Sequence, residues 1–317
     1  MIYVDLVGRI GNQLFIYAMA EALRQRRGGK EKIVFYDRQI IDANWKNSLK
    51  DYKIENVEYI HDLRKRGYIT RIQQYITDKF YKKICNTSDR KKRFQIERKF
   101  QPILNTIGII ACYNNYVKPK CLWNRNLYIR GYFQSEKYFS DYGGTIKKTL
   151  NSNIERLQNK DYVKEIRKRN TVCVSIKVEH NVGSPIFDVC NKEYYTKAID
   201  YIIKNVDDPL FFICSDNVPY VLSHFIDTDR FDCICQEKEL PVSDSLAIMG
   251  LCKHFVMGNS SFAWWAQYLC DNPNKIVIAP YPWLRTDECK DIYCDGWHTI
   301  DVTDYIEKDD KCFNECL

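Results

Sequence analysis

Ile2-Tyr3-Val4-Asp5-Leu6-Val7, then Gly8-Arg9-Ile10-Gly11, then residues 12–23 form the stretch that decides the fold. The first six residues are an apolar, β-rich run, and the two glycines permit a tight turn. Leu14, Phe15, Ala18, Ala22 and Leu23 then recur at the spacing that puts them on one face of a helix. Strand, glycine turn, helix is how a nucleotide-binding α/β domain opens. Further strands are expected at 33–36, 57–60, 107–112 and 127–132, although a basic insert obscures their order.

The second half is more regular. Apolar β-rich runs at 172–176, 210–214, 231–235, 255–257 and 275–279 alternate with helical patterns at 192–204, 218–225, 244–252 and 262–270. That alternation predicts a parallel sheet covered on both faces. Ligands of such sheets bind at the carboxyl ends of the strands, so the residues following each strand are where chemistry is sought. With 317 residues the chain is long for one hydrophobic core, and two α/β domains are expected. The polar, charged stretch 151–170 divides them into 1–155 and 156–317, the first carrying a basic helical insert at about 61–100.

The net charge of +7 is concentrated in that insert, where thirteen Lys/Arg face four Asp/Glu, leaving the rest of the chain at −2. Ile69, Ile72, Ile76, Phe80 and Ile84 recur there at helical spacing beside Tyr68 and Tyr75, while Arg71, Lys79, Lys82 and Lys83 supply charge. Such a helix suits an anionic membrane surface. A core helix with a solvated basic face fits the pattern equally. No nucleic-acid recognition motif accompanies the charge. The longest apolar stretch, 107–113, falls far short of the roughly 18 residues that cross a bilayer. The amino terminus has no basic and apolar leader pattern, so a cytoplasmic protein is expected, at most peripheral on the inner face of the plasma membrane. Fourteen cysteines in that compartment read as reduced, with Cys173, Cys214 and Cys235 inside buried strands. The pairs Cys233/Cys235 and Cys312/Cys316 lack a second pair at zinc-ribbon spacing, and no metal is expected.

Chemistry is looked for first in Gly258-Asn259-Ser260-Ser261-Phe262-Ala263-Trp264-Trp265. Gly258 permits a turn, and Asn259, Ser260 or Ser261 can cap the helix that follows. The free amides and positive dipole end of that helix suit an anion such as a diphosphate. An ordinary helix cap explains the same residues. Asp216, in Ser215-Asp216-Asn217 after the 210–214 run, and Asp244, opening a helix, can each accept hydrogen bonds from a base or ribose, or simply cap.

Six segments, in order, carry a resemblance. They are Leu6-Val7-Gly8-Arg9-Ile10-Gly11-Asn12-Gln13-Leu14-Phe15-Ile16-Tyr17-Ala18, Gly131-Tyr132-Phe133-Gln134-Ser135-Glu136-Lys137-Tyr138-Phe139, Asp188-Val189-Cys190-Asn191-Lys192-Glu193-Tyr194-Tyr195, Met249-Gly250-Leu251-Cys252-Lys253-His254, the run from Asn259 to Trp265, and Ile276-Val277-Ile278-Ala279-Pro280. Together they resemble the bacterial family-11 α-1,2-fucosyltransferases over nearly the whole chain, and six ordered motifs are specific where one would be weak. The resemblance implies a GT-B architecture, two Rossmann-like domains facing a cleft, with an acceptor-side first domain and a donor-binding second. It also implies inverting, metal-independent transfer of fucose from GDP-fucose to a galactoside hydroxyl of an oligosaccharide or lipid-linked glycan precursor, as in O-antigen assembly. The nucleotide sugar is substrate, and no cofactor is implied. By position Ser260, Ser261 and Phe262, beside Asn259, flank the diphosphate. Asp244 reaches the base, while Arg9, Gly11, Asn12 and Gln13 line the cleft from the first domain.

One stretch departs from the family pattern. After the 172–176 run the family carries His-x-Arg-Arg-Gly-Asp-Tyr, whose arginine grips the nucleotide phosphates. This chain has Lys177, Val178, Glu179, His180, Asn181, Val182 and Gly183. A charge-assisted contact is worth about 1.5–3 kcal/mol, and lysine cannot copy the guanidinium fork. Lys177, His180 or Arg9 compensates, or the donor differs, or the protein is a weakened sugar-binding relative. Glu179, His180 and Asp188 are the base candidates in that loop. Asp227-Thr228-Asp229 resembles a metal-binding pair of other glycosyltransferases but precedes a strand rather than following one, so no metal role is expected.

Overall fold

The computed structural model describes residues 1–62, 67–113, 115–120 and 122–307. Residues 63–66 of the basic insert, and Cys312 with Cys316, lie outside the described residues. The chain divides into two compact units, Met1–Leu150 and Asn151–Leu317.

The first unit is built on β1 (Ile2–Asp5), β2 (Ile33–Tyr36), β3 (Val57–Ile60), β4 (Ile109–Cys112) and β5 (Leu127–Gly131), in the order β3-β2-β1-β5-β4. Every pairing is parallel. Its helices are α1 (Ile10–Arg26), α2 (Arg38–Asp42), α3 (Tyr68–Cys85), α4 (Arg90–Thr106) and α5 (Gly143–Leu150). Tyr3, Val34, Ile109, Ala111 and Tyr128 pack with Phe80, Ile84 and Leu104 from α3 and α4. Ile2, Val4, Ile33 and Phe35, equally buried, lie on the other face by strand alternation, and α1 contacts β1 and β2. A sheet buried on both faces explains why its strands read as continuous apolar runs rather than alternating ones. Gly131 closes β5 at φ +154°, where an added Cβ would lie 1.8 Å from the Cys112 carbonyl oxygen, so no larger residue fits.

The basic insert corrects the sequence expectation. It contains two helices, and the predicted apolar face of α3 is only half used. Phe80 and Ile84 are buried and Ile76 packs partly against them, whereas Ile69 and Ile72 are exposed. Thr70, Gln73 and Thr77 take the inward positions instead. The reason lies in what the first half of α3 covers. Gln73 Nε2 donates to the carbonyls of Ile107 (2.9 Å) and Asn126 (3.3 Å), just before β4 and β5 begin, so the inward face there must supply hydrogen bonds.

The second unit is a six-stranded parallel sheet, ordered β11-β10-β9-β6-β7-β8, from β6 (Asn170–Ile176), β7 (Pro209–Ser215), β8 (Cys233–Cys235), β9 (His254–Met257), β10 (Val277–Tyr281) and β11 (His298–Asp301). Five of these strands are expected from sequence, and β11 is an addition. Its residues are largely exposed, which removes the apolar signal by which a buried strand is recognised. The helices are α6 (Asp161–Lys168), α7 (Lys192–Asn205), α8 (Val218–His224), α9 (Val242–Met249) and α10 (Ser261–Leu269). Val172, Val174 and Ile176 share a core with Tyr194, Tyr195, Ala198 and Ile202 of α7. The intervening Cys173, with Phe212 and Cys214 of β7, is buried as well. Cys173, Cys214 and Cys235 are free thiols, the last only half-buried on the short edge strand β8. Among the described residues no helix is long and apolar enough to cross a membrane.

Candidate functional site

In a parallel α/β sheet the ligand crevice lies beyond the carboxyl ends of the strands, where the strand order reverses. In the second unit the chain steps from β6 to β7 to β8 on one side, then returns to place β9 on the other side of β6. The reversal is therefore between β6 and β9. There the loop 177–190 meets the turn 258–260, joined where the Gly258 N–H donates to the Ser175 carbonyl at 2.8 Å. A Cβ on Gly258 would come within 2.8 Å of the Tyr195 hydroxyl, which accounts for the glycine.

Asn259 is nearly buried and works as a stitch. Its Nδ2 donates to the carbonyls of Phe187 (2.9 Å) and Trp283 (3.0 Å), and its Oδ1 accepts from Asn181 Nδ2 (3.0 Å). Ser260 is the N-cap of α10, its hydroxyl accepting the Phe262 N–H at 3.2 Å. Ser261 opens the helix; Ser260, Ser261 and Phe262 are all half-buried, so solvent reaches the amide-bearing end of α10. Lys177, Asn181, Asp188, Tyr195, Gly258 and Asn259 line a cavity of about 10 Å³ beneath the turn. That is room for about one water, too little for a nucleotide sugar. Burial pushes the Cys190 thiol up to about 12 and holds the Tyr195 hydroxyl well above the ordinary phenol, leaving both neutral at pH 7.

The cations beside this turn are already engaged. Lys177 pairs with Asp216, whose two oxygens also accept the N–H groups of Val178 (2.8 Å) and Glu179 (3.2 Å). Asp216 thus anchors the loop after β6. Arg285, which the sequence did not single out although it follows β10, donates to the carbonyls of Asp188 (3.0 Å) and Ile306 (3.4 Å). Glu179 and His180 are exposed, His180 at φ +67° in the turn. Asp188 accepts the Gly183 N–H at 2.6 Å and the Tyr305 hydroxyl at 3.4 Å. Asp244, in the first turn of α9, is buried and paired with Arg156, a partner without any sequence signal.

In the first unit the order reverses between β1 and β5. Two of the quoted motifs meet there, where Gln134 Nε2 donates to Asn12 Oδ1 at 2.8 Å. Arg9 is exposed and Gly11 buried. Gln13, expected to line a cleft, is wholly buried. Its Nε2 donates to the carbonyls of Gly8 (2.8 Å) and Lys46 (2.9 Å), and its Oε1 accepts the Ser48 N–H (2.8 Å), so it shapes the edge from beneath. Under this edge Asp5 holds Arg130 at 3.4 Å and accepts from the Tyr128 hydroxyl at 2.7 Å. Burial raises its pKa to about 6 against the opposing pull of Arg130 and Tyr128. Asp227 and Asp229 lie before β8, the Asp227 carboxylate capping the Asp229 N–H. Among the described residues no group of three His, Cys, Asp or Glu side chains is placed to hold a metal ion.

The pattern of glycosyl transferase family 11 matches residues 1–301. The O-antigen biosynthesis glycosyltransferase WbnK of Escherichia coli is 22% identical over 311 residues, spanning 93% of this chain and 99% of that protein. An α-1,2-colitosyltransferase of Escherichia coli is 23% identical over 302 residues, spanning 91% and 94%. Among solved structures, the fucosyltransferase NodZ from Bradyrhizobium superposes with a TM-score of 0.46 at 14% identity, covering 84% of this chain and 93% of that one.

Proposed function

The chain belongs to glycosyltransferase family 11, and from that premise we propose that it moves fucose from GDP-fucose to a galactoside hydroxyl of a glycan precursor, with inversion and without metal. Direct displacement fits the site's chemistry. The acceptor oxygen attacks the anomeric carbon, the bond to the diphosphate breaks, and the departing charge falls on the amides opening α10, with Ser260 and Ser261 beside them. The observation that carries this reading is the solvent-reached amino end of α10 at the strand-order reversal. Asp244 meets the base by sharing Arg156. Lys177 and Arg285 are both engaged within the protein and are poor substitutes for the missing arginine clamp, which supports a donor held largely by the amides opening α10. Because one relative is named for colitosyl transfer, GDP-colitose belongs beside GDP-fucose, UDP- and dTDP-sugars in a calorimetric panel. Binding of one guanosine sugar, weakened about tenfold or more by Ser261→Ala, is expected; no heat with any member overturns the donor assignment.

A peripheral membrane position has its own support. Tyr68, Ile69, Ile72 and Tyr75 on α3, with Ile103 and Ile107 near the end of α4, are exposed. Trp123, 78% exposed, sits on the segment that Asn124 ties to the Asn105 carbonyl of α4. Arg71 on α3, and Lys118, Lys120 and Arg125 close to Trp123 in the chain, are exposed as well. Exposed apolar side chains accompanied by positive charge suit the anionic inner leaflet. Flotation with phosphatidylglycerol vesicles, lost on pure phosphatidylcholine or in Trp123→Ala, is expected; equal flotation on both lipids removes the electrostatic part.

A further inference from the structure

The two parallel strands β2 and β3 are in register to their last residues, Tyr36 opposite Ile60. The residues that follow, Asp37 and His61, therefore come together at the carboxyl edge of the first sheet. Imidazole Nδ1 lies 2.5 Å from Asp37 Oδ1. The pair is sharply asymmetric in exposure: the carboxylate is 1% exposed and the imidazole 62%. The other carboxylate oxygen, Oδ2, accepts from Asn47 Nδ2 at 3.2 Å. Asn47 stands between Lys46 and Ser48, the two residues whose backbone Gln13 binds, so one short segment joins this pair to the Gly8–Gln13 turn.

That arrangement does specific chemistry. A buried, doubly held carboxylate accepts the Nδ1–H and thereby selects the tautomer with a lone pair on Nε2. Among the described residues Nε2 makes no hydrogen bond, and the ring as a whole is largely exposed. Neither Glu179 nor Asp188 offers an equivalent, the one exposed and the other already accepting from Gly183 and Tyr305. His180 sits exposed in its turn. We propose that His61 is the general base of glycosyl transfer and Asp37 its positioning residue. This rests on the first unit carrying the acceptor. The acceptor hydroxyl gives its proton to His61 Nε2 while its oxygen bonds to the anomeric carbon. The anomeric carbon–oxygen bond breaks with its electron pair on the nucleoside diphosphate, and Asp37 faces the imidazolium that forms.

Two measurements test it. With GDP-fucose as donor and lactose or N-acetyllactosamine as acceptor, His61→Gln should lower kcat by roughly 10²- to 10⁴-fold, leave calorimetric donor affinity within about twofold, and lower the melting temperature only modestly, because the glutamine amide can still donate to the buried Asp37 carboxylate. The control His224→Gln, an exposed histidine on α8, should keep wild-type kcat. An unchanged kcat in His61→Gln overturns the proposal. Should neither probe acceptor be glycosylated, nitrogen-15 NMR of the labelled imidazoles decides: His61 as the Nδ1–H tautomer, lost in Asp37→Asn, supports it, and the Nε2–H tautomer in the wild type refutes it. Failure of GDP-fucose to bind the wild type counts against the donor assignment instead, and the NMR result stands apart from it.

Discussion

Replacing Asn259 by alanine removes both donors that its amide supplies to the carbonyls of Phe187 and Trp283, and the acceptor that it offers Asn181. Phe187 is partly open to water, so its orphaned carbonyl costs about 1 kcal/mol; Trp283 is 4% exposed, and its carbonyl costs about 1–3 kcal/mol. The sum, roughly 2–4 kcal/mol, converts at about 2–4 °C per kcal/mol for a domain of this size into a fall of about 4–16 °C. Circular dichroism or scanning fluorimetry measures it on the full chain. Asn259→Asp should be at least as harmful, because it turns a carboxylate oxygen toward two carbonyls. A melting point within about 1 °C of wild type for Asn259→Ala would refute the assignment of this side chain as the tie between the loop after β6, the turn after β9 and the segment after β10.

Three further outcomes are expected. Gly131→Ala, with its Cβ 1.8 Å from the Cys112 oxygen, should cost at least about 3 kcal/mol and be seen as lost soluble yield or a sharply lowered midpoint; normal melting would contradict the close approach. The Asp5 carboxyl titrates near 6 when folded against an ordinary 3.8, so the folded chain binds the proton more tightly. That stabilisation is present below about 4 and lost as pH rises through 6, on the order of 3 kcal/mol. Urea titrations from pH 4 to 7 should show this slope in the wild type and a flatter one in Asp5→Asn; parallel slopes would dismiss it. Arg156→Ala leaves the buried Asp244 carboxylate unpaired and should lower stability by about 1 kcal/mol, the arginine itself being largely exposed. An unchanged denaturation midpoint would mean that Asp244 does not depend on the pair.

Strands buried on both faces announce themselves as apolar runs, which is why β2 was legible to the residue and β6, β7 and β9 nearly so, whereas the half-buried edge strand β3 was legible from its β-branched and aromatic residues around Glu58. The polar edge strand β11 gives no such signal. Spacing alone misjudged α3, since Ile69 and Ile72 have helical periodicity but the turns they occupy cover carbonyls to which Gln73 donates. The turn before Trp264 was legible as a capped helix start, and Ser260 is that cap; the end it caps is reached by solvent, as the proposed diphosphate site requires. What sequence could not supply were the pairings Asp244–Arg156 and Asp37–His61, each joining residues that only the fold brings together. The histidine pair was within reach of the same rule applied to the second half, that residues just after strands matter, had the strand order of the first half been readable.

Lys177 and Arg285 spend their charge inside the protein, one on a carboxylate and one on backbone carbonyls. A diphosphate lying on the turn that opens α10 would therefore meet oriented dipoles rather than mobile counter-charges. Salt screens both kinds of attraction, but a helix end presents only about half an elementary charge. Nucleotide affinity should then fall less steeply between dilute buffer and the potassium-rich interior of a cell than that of an arginine-clamped relative, which sets a full charge against the diphosphate.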